Sequence, residues 1–141
     1  MKLKLIILTL FLGVGLLISC SKEDKNISST EALLNGTWNL KNLSGGFAGL
    51  NENYSIGTIT WAFNVQNKTI IVNNNVPESK KYIFDNGTYS FSIIEINNHK
   101  YLKINNDEYG GLIILNSNLT IDQNKISNGV GADGFILNFE K

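Results

Sequence analysis

The chain has no arginine, and its 141 residues include one cysteine (Cys20), one proline (Pro77) and one histidine (His99). Each shortage closes off a class of answer. Twelve lysines face twelve acidic residues with no arginine among them, so the basic footprint of a nucleic-acid-binding protein is missing. A cationic patch for anionic lipid head groups is missing too. A single cysteine cannot form an intramolecular disulfide. His99 stands in the turn Asn97-Asn98-His99-Lys100, with no serine or acid to pair with it. A general base needs a partner and a cleft, so no catalytic residue is assigned and the chain reads as a non-enzyme. Asp107-Glu108 lacks the spacing of an EF-hand. Gly129-Val130-Gly131 precedes no helix that could hold a phosphate. No cofactor and no metal are implied.

What the chain does have begins at its amino end. Lys2 and Lys4 are followed by an apolar run over residues 5–18, interrupted only by Thr9, Gly13 and Gly15. A charged start, an apolar middle and small residues beyond are the parts of a secretory signal. The run is shorter than the roughly 20 residues a helix needs to cross a bilayer. It ends in Leu17-Ile18-Ser19-Cys20, which resembles the lipobox of bacterial lipoprotein precursors. The resemblance implies removal of residues 1–19, acylation of Cys20 on sulfur and acylation of the new amino end. The competing reading is an ordinary cleaved signal followed by a chance cysteine. Without Lys2 and Lys4, ten lysines face twelve acidic residues, a net charge of about −2 by side-chain count. The membrane partner would then be reached through acyl chains, each buried CH₂ contributing about 0.8 kcal/mol.

Residues 20–30 are polar and unpatterned apart from Ile27, which suits a flexible tether. Within them Ser21-Lys22-Glu23-Asp24 is similar to the export signal that one large phylum of Gram-negative bacteria places after the acylated cysteine. It implies an outer-membrane location facing the cell exterior. A generic tether, on a protein facing the periplasm, is the alternative.

Residues 31–141 form the folded domain. Thr30-Glu31-Ala32-Leu33-Leu34, stopped by Asn35-Gly36, predicts one helical turn. Beyond it the period is two. Ile59, Trp61, Phe63 and Val65 share one face, as do Tyr89, Phe91 and Ile93, then Leu102 and Ile104, then Phe135, Leu137 and Phe139. Such alternation is what antiparallel sheets wetted on one side require. Asparagine clusters punctuate the runs, and Asn86-Gly87 carries the strongest hairpin signal. About eight strands are predicted, near 37–43, 58–65, 69–73, 79–84, 88–95, 100–105, 111–121 (one or two) and 134–140. Many short strands at this spacing mean a sandwich or a barrel.

Gly36-Thr37-Trp38, just after a helical turn, resembles the Gly-x-Trp opening of the lipocalin-like families. The resemblance implies an all-β, antiparallel up-and-down barrel, closed at one end by the turn with Gly36 and Trp38. The other end would be covered by a long loop, matched here to residues 44–57. Those families place an arginine near the last strand to stack on the tryptophan, and here only Lys141 stands near that place. An eight-stranded barrel either holds one small ligand or is filled by its own side chains. On the first reading Phe47, Leu50, Tyr54 and Ile56 supply an apolar mouth over Trp61, for a small apolar or amphipathic ligand. On the second the protein is a surface-displayed structural or interaction barrel with a filled core.

Overall fold

The computed structural model describes residues 29–77 and 83–141. Cys20, residues 1–19 and all of the tether but its last two residues lie outside the described residues, as does most of the strand expected at 79–84. The domain opens with helix α1 (Ser29–Leu34). Glu31 sits in its first turn, where a carboxylate favours the helix dipole, and pairs with Lys68. Asn35 closes the turn by donating its N–H to Glu31 O at 3.1 Å.

Among the described residues eleven strands follow: β1 (Gly36–Gly45), β2 (Leu50–Asn53), β3 (Ile59–Asn64), β4 (Thr69–Asn74), β5 (Gly87–Ile96), β6 (His99–Ile104), β7 (Asp107–Leu115), β8 (Asn118–Asp122), β9 (Lys125–Ile126), β10 (Gly129–Val130) and β11 (Phe135–Glu140). Strands β1, β3–β8 and β11 pair antiparallel in sequence order, and β11 returns to β1. The ring is a closed eight-stranded antiparallel barrel, which leaves no unpaired edge. Strands β9 and β10 form a separate two-stranded ribbon.

The inward face is the one that alternation marks. Ile59, Trp61, Phe63, Val65, Phe91, Leu102, Ile104, Leu137 and Phe139 are buried, and Tyr89, Ile93 and Phe135 pack against them. In β1 the alternation slips, because Trp38, Leu40 and Leu43 are all buried. A bulge between Leu40 and Asn42 accounts for this. It inserts one residue and turns Leu43 back to the core.

Turns fall where asparagine pairs stand. Asn97-Asn98 and Asn105-Asn106 all have positive φ, the backbone of a two-residue hairpin turn, which asparagine tolerates. Asn86-Gly87, expected as the strongest hairpin, is not one. It follows a long β4–β5 connection, and Asn86 Oδ1 accepts the N–H of Asn74. The pair ends a connection because its side chain anchors the chain back onto β4.

Residues 44–57 are not a single covering loop. Leu50–Asn53 form β2, which pairs with Asn42–Gly45 of β1. Tyr54 N–H is held by Lys41 O at 2.9 Å and Gly57 N–H by Asn39 Oδ1 at 3.0 Å. Pairing with β1 thus replaces the free covering loop that the resemblance implied.

At the helix end Trp38 lies fully buried beside α1. Its Nε1 donates to Leu34 O at 2.7 Å. Lys141 Nζ lies 4.6 Å from the centroid of the same ring and donates to Leu33 O at 2.8 Å and Asn35 O at 2.9 Å. Lysine therefore supplies a cation over the indole without the planar stacking of arginine. Between them Trp38 and Lys141 satisfy three carbonyls at the end of α1, the groups a helix terminus leaves unpaired.

Candidate functional site

At the opposite end, a cleft of about 400 Å³ opens between the β4–β5 connection and the starts of β5, β7 and β11. Among the described residues it is lined by Ile83, Phe84, Asp85, Tyr89, Tyr109, Gln123 and Phe135. Each is placed for an identifiable reason. Asn74, buried at the end of β4, donates from Nδ2 to Phe84 O at 3.1 Å, and Asn86 grips the same strand end. Together they pin residues 84–86 across the barrel mouth. Tyr89 donates its hydroxyl to Asp85 O at 2.9 Å, which fixes the same segment from β5.

Tyr109 reaches the interior through a bulge. Leu102 of β6 faces Gly110 and Lys103 faces Glu108, so Tyr109 is the extra residue. Its ring lies 5.8 Å from Trp61 and 5.2 Å from Phe84. Burial pushes the Tyr109 phenol well above its ordinary pKa, partly offset by a hydrogen bond with Gln123. It is therefore a neutral hydroxyl at any physiological pH. Gln123 Oε1 also accepts Phe135 N–H at 2.9 Å. Next to it, Asn124 donates from Nδ2 to Gly134 O at 3.2 Å and accepts Gly134 N–H at Oδ1 at 2.9 Å. These bonds lock the β8–β11 side of the mouth.

Below the cleft lies a continuous aromatic layer. Trp61 is fully buried, with Phe139 at 5.2 Å, Phe84 at 5.9 Å and Phe63 at 6.2 Å between ring centroids. Phe63 in turn meets Phe91 edge-on at 5.3 Å. Trp61 Nε1 has no hydrogen-bond partner among the described residues. A buried donor left unpaired costs about 1–3 kcal/mol, which makes this indole N–H a polar group with an unmet need among the described side chains.

The five residues expected to bind a ligand are spread apart. Phe47, at the tip of the β1–β2 hairpin, is 94% exposed, and Ile56 also faces solvent. Leu50 and Tyr54 pack against the core. Trp61 is tied to the cleft through Phe84 and Tyr109. Phe84, Tyr109 and Gln123 escaped the sequence reading because the bulge and the connection that bring them together have no local signature. The break in alternation at Tyr109-Gly110-Gly111 was the available clue.

No three of His, Cys, Asp and Glu are grouped to hold a metal ion among the described residues. His99 is exposed, with its neighbours Lys100 and Glu95 paired to each other at 3.5 Å. Comparison of the chain with protein-family models, with curated proteins and with solved structures found no match.

Proposed function

We propose that this protein is a non-catalytic binding module of lipocalin-like design, which takes a small apolar or amphipathic molecule at the open end of its barrel. The observation that carries the reading is the cleft itself. Aromatic rings line it, hydroxyl and amide groups sit at its rim, and its floor rests on a tryptophan with a spare N–H. Ligand sites combine an apolar lining with a few placed polar groups in this way. Tyr109 and Gln123 offer uncharged polar groups, and Asp85 is the one carboxylate among the described lining residues, so the fitting molecule is a mainly apolar body with one hydrogen-bonding end.

The test is a titration with 6-propionyl-2-dimethylaminonaphthalene, a flat fluorophore with one carbonyl. Its emission should shift to the blue on binding, while tryptophan emission falls by energy transfer from Trp61. Phe84→Ala combined with Tyr109→Phe should weaken binding at least tenfold, a loss of about 1.4 kcal/mol. A denaturation curve for the same variant separates lost affinity from lost fold. No shift with the parent protein would instead favour the filled interaction barrel, a reading that the packed aromatic layer beneath the cleft also supports.

The module is held to a membrane by acyl chains on Cys20, and the Ser21–Asp24 stretch directs it to the outer face of an outer membrane. Cys20→Ala should then abolish incorporation of labelled palmitate and release the protein into the soluble fraction. A variant that stays with the membrane would show that residues 5–18, and not acylation, hold it there.

A further inference from the structure

We infer that the outer side of the barrel at its helix end is a lipid-facing surface, resting on the same leaflet that holds the anchor. This depends on the reading of Cys20 as acylated, and adds to it an orientation. Four exposed apolar side chains gather there. Ile113 and Leu115 project outward from β7 and Leu33 from α1, each more than half exposed (52%, 67% and 56%). Leu33, His99 and Ile113 line one shallow groove between α1 and strands β6 and β7. Ile96, also exposed, faces His99 across the β5–β6 pair. Glu31 of α1 and Glu95 of β5, on elements that border this face, are paired with Lys68 and Lys100, so neither meets a lipid surface as a bare charge.

The covalent path selects lipid over other occupants. Ser29, the first residue of α1, follows nine residues after Cys20. At about 3.3–3.6 Å per residue, that length reaches roughly 30 Å at most, however it is arranged. The ten residues of β5 span about as much at roughly 3.3 Å each. The helix end thus cannot stray from the membrane by more than about one barrel length, and the cleft lies at the far end. A tether of this length keeps the effective concentration of the surface high, so weak apolar contacts suffice for docking. The arrangement would hold the cleft outward, away from the lipid.

The experiment uses the full chain, purified with its anchor and placed in phosphatidylcholine vesicles carrying a nitroxide on the lipid. Cys20 being the sole cysteine, Leu115→Cys and Phe47→Cys each offer one thiol for a nitrobenzoxadiazole label. Both positions are exposed, so the fold tolerates the change. The label at 115 should be quenched several-fold more by nitroxide lipid than the label at 47. Equal quenching, or quenching at 47 alone, would overturn the orientation. A label at 115 shielded from both nitroxide lipid and aqueous iodide would put a second copy of the chain on this face and overturn it as well. Failure of the protein to float with the vesicles, or labelling of Cys20 itself, would remove the anchor and this inference with it. Flotation without quenching at 115 removes the inference alone.

Discussion

Trp38→Ala is expected to cost about 3–5 kcal/mol, the range for deleting a large aromatic from a packed core. The side chain is fully buried, and its removal also leaves Leu34 O without the indole donor that it accepts at 2.7 Å. A domain of this size has a total stability of about 5–15 kcal/mol. At roughly 4–8 °C per kcal/mol, the melting temperature should fall by well over 10 °C, as read by calorimetry. Lys141→Met keeps the apolar stem but removes the cation over the ring, for which about 0.5–1 kcal/mol is the exposed-site figure. In a double-mutant cycle most of that loss should vanish when Trp38 is already alanine. Full additivity would mean that the lysine acts on the helix carbonyls alone. A Trp38→Ala cost under about 1 kcal/mol would remove Trp38 as the closure of the barrel.

How much of this could be read in the chain depends on the range of the forces involved. The inward faces of β3, β5, β6 and β11 are set by side chains two residues apart, and alternation exposes such a pattern directly. The helical turn and Trp38 were legible for the same reason, since the turn, its stop and the ring lie within ten residues. The run 111–121 resolved into β7 and β8 at Asn116, whose positive φ makes the turn. Lys141 was harder. Its ring contact joins residues over a hundred apart, and only the resemblance pointed to a cation there. Strand β2 was missed because Leu50-Asn51-Glu52-Asn53 has little strand propensity, and its pairing with β1 is what holds it. The β9–β10 ribbon was missed likewise. Its two-residue strands are set by tertiary contacts such as the Ser127 hydroxyl, which donates to Glu108 Oε2 at 2.6 Å.

The candidate site was less legible than the fold, and for a physical reason. An apolar residue in a glycine-rich segment has two fates, an outward tip or an inward plug, and the sequence carries no term that separates them. Phe47 took the first, while Leu50 and Tyr54 took the second. The rings that line the cleft come from the β4–β5 connection, a bulge and the start of β11. Each is positioned by a side-chain amide: Asn74 and Asn86 for Phe84, Gln123 for Tyr109 and Phe135. Asparagine and glutamine look alike in a sequence whether they serve as turns or as struts. Only their tertiary hydrogen bonds distinguish the two uses, since Asn74 is buried while Asn86 is exposed.

The bulge that aims Tyr109 inward depends on Gly110, and Gly110→Ala is expected to damage both fold and site. The backbone there has φ +152°, and an added Cβ would lie 2.6 Å from Asp122 O and 2.8 Å from its carbonyl carbon. Both atoms belong to β8, where Asp122 pairs with Gly111, so neither can yield without shifting the strand pair. Overpacking of this kind costs about 1–3 kcal/mol, and a strained backbone adds roughly 1–3 kcal/mol. Gly129 gives an internal control, because its φ is +153° with nothing within 4 Å of the added Cβ. Gly129→Ala should show the backbone contribution alone, on the order of 1 kcal/mol. The difference between the two variants in urea midpoint then measures the clash with β8. If the bulge positions Tyr109 as described, the Gly110 variant should also lose the fluorophore under conditions where it remains folded, while the Gly129 variant binds as the parent does. Equal costs at the two glycines would mean that β8 moves aside freely and that the bulge does not fix the floor of the cleft.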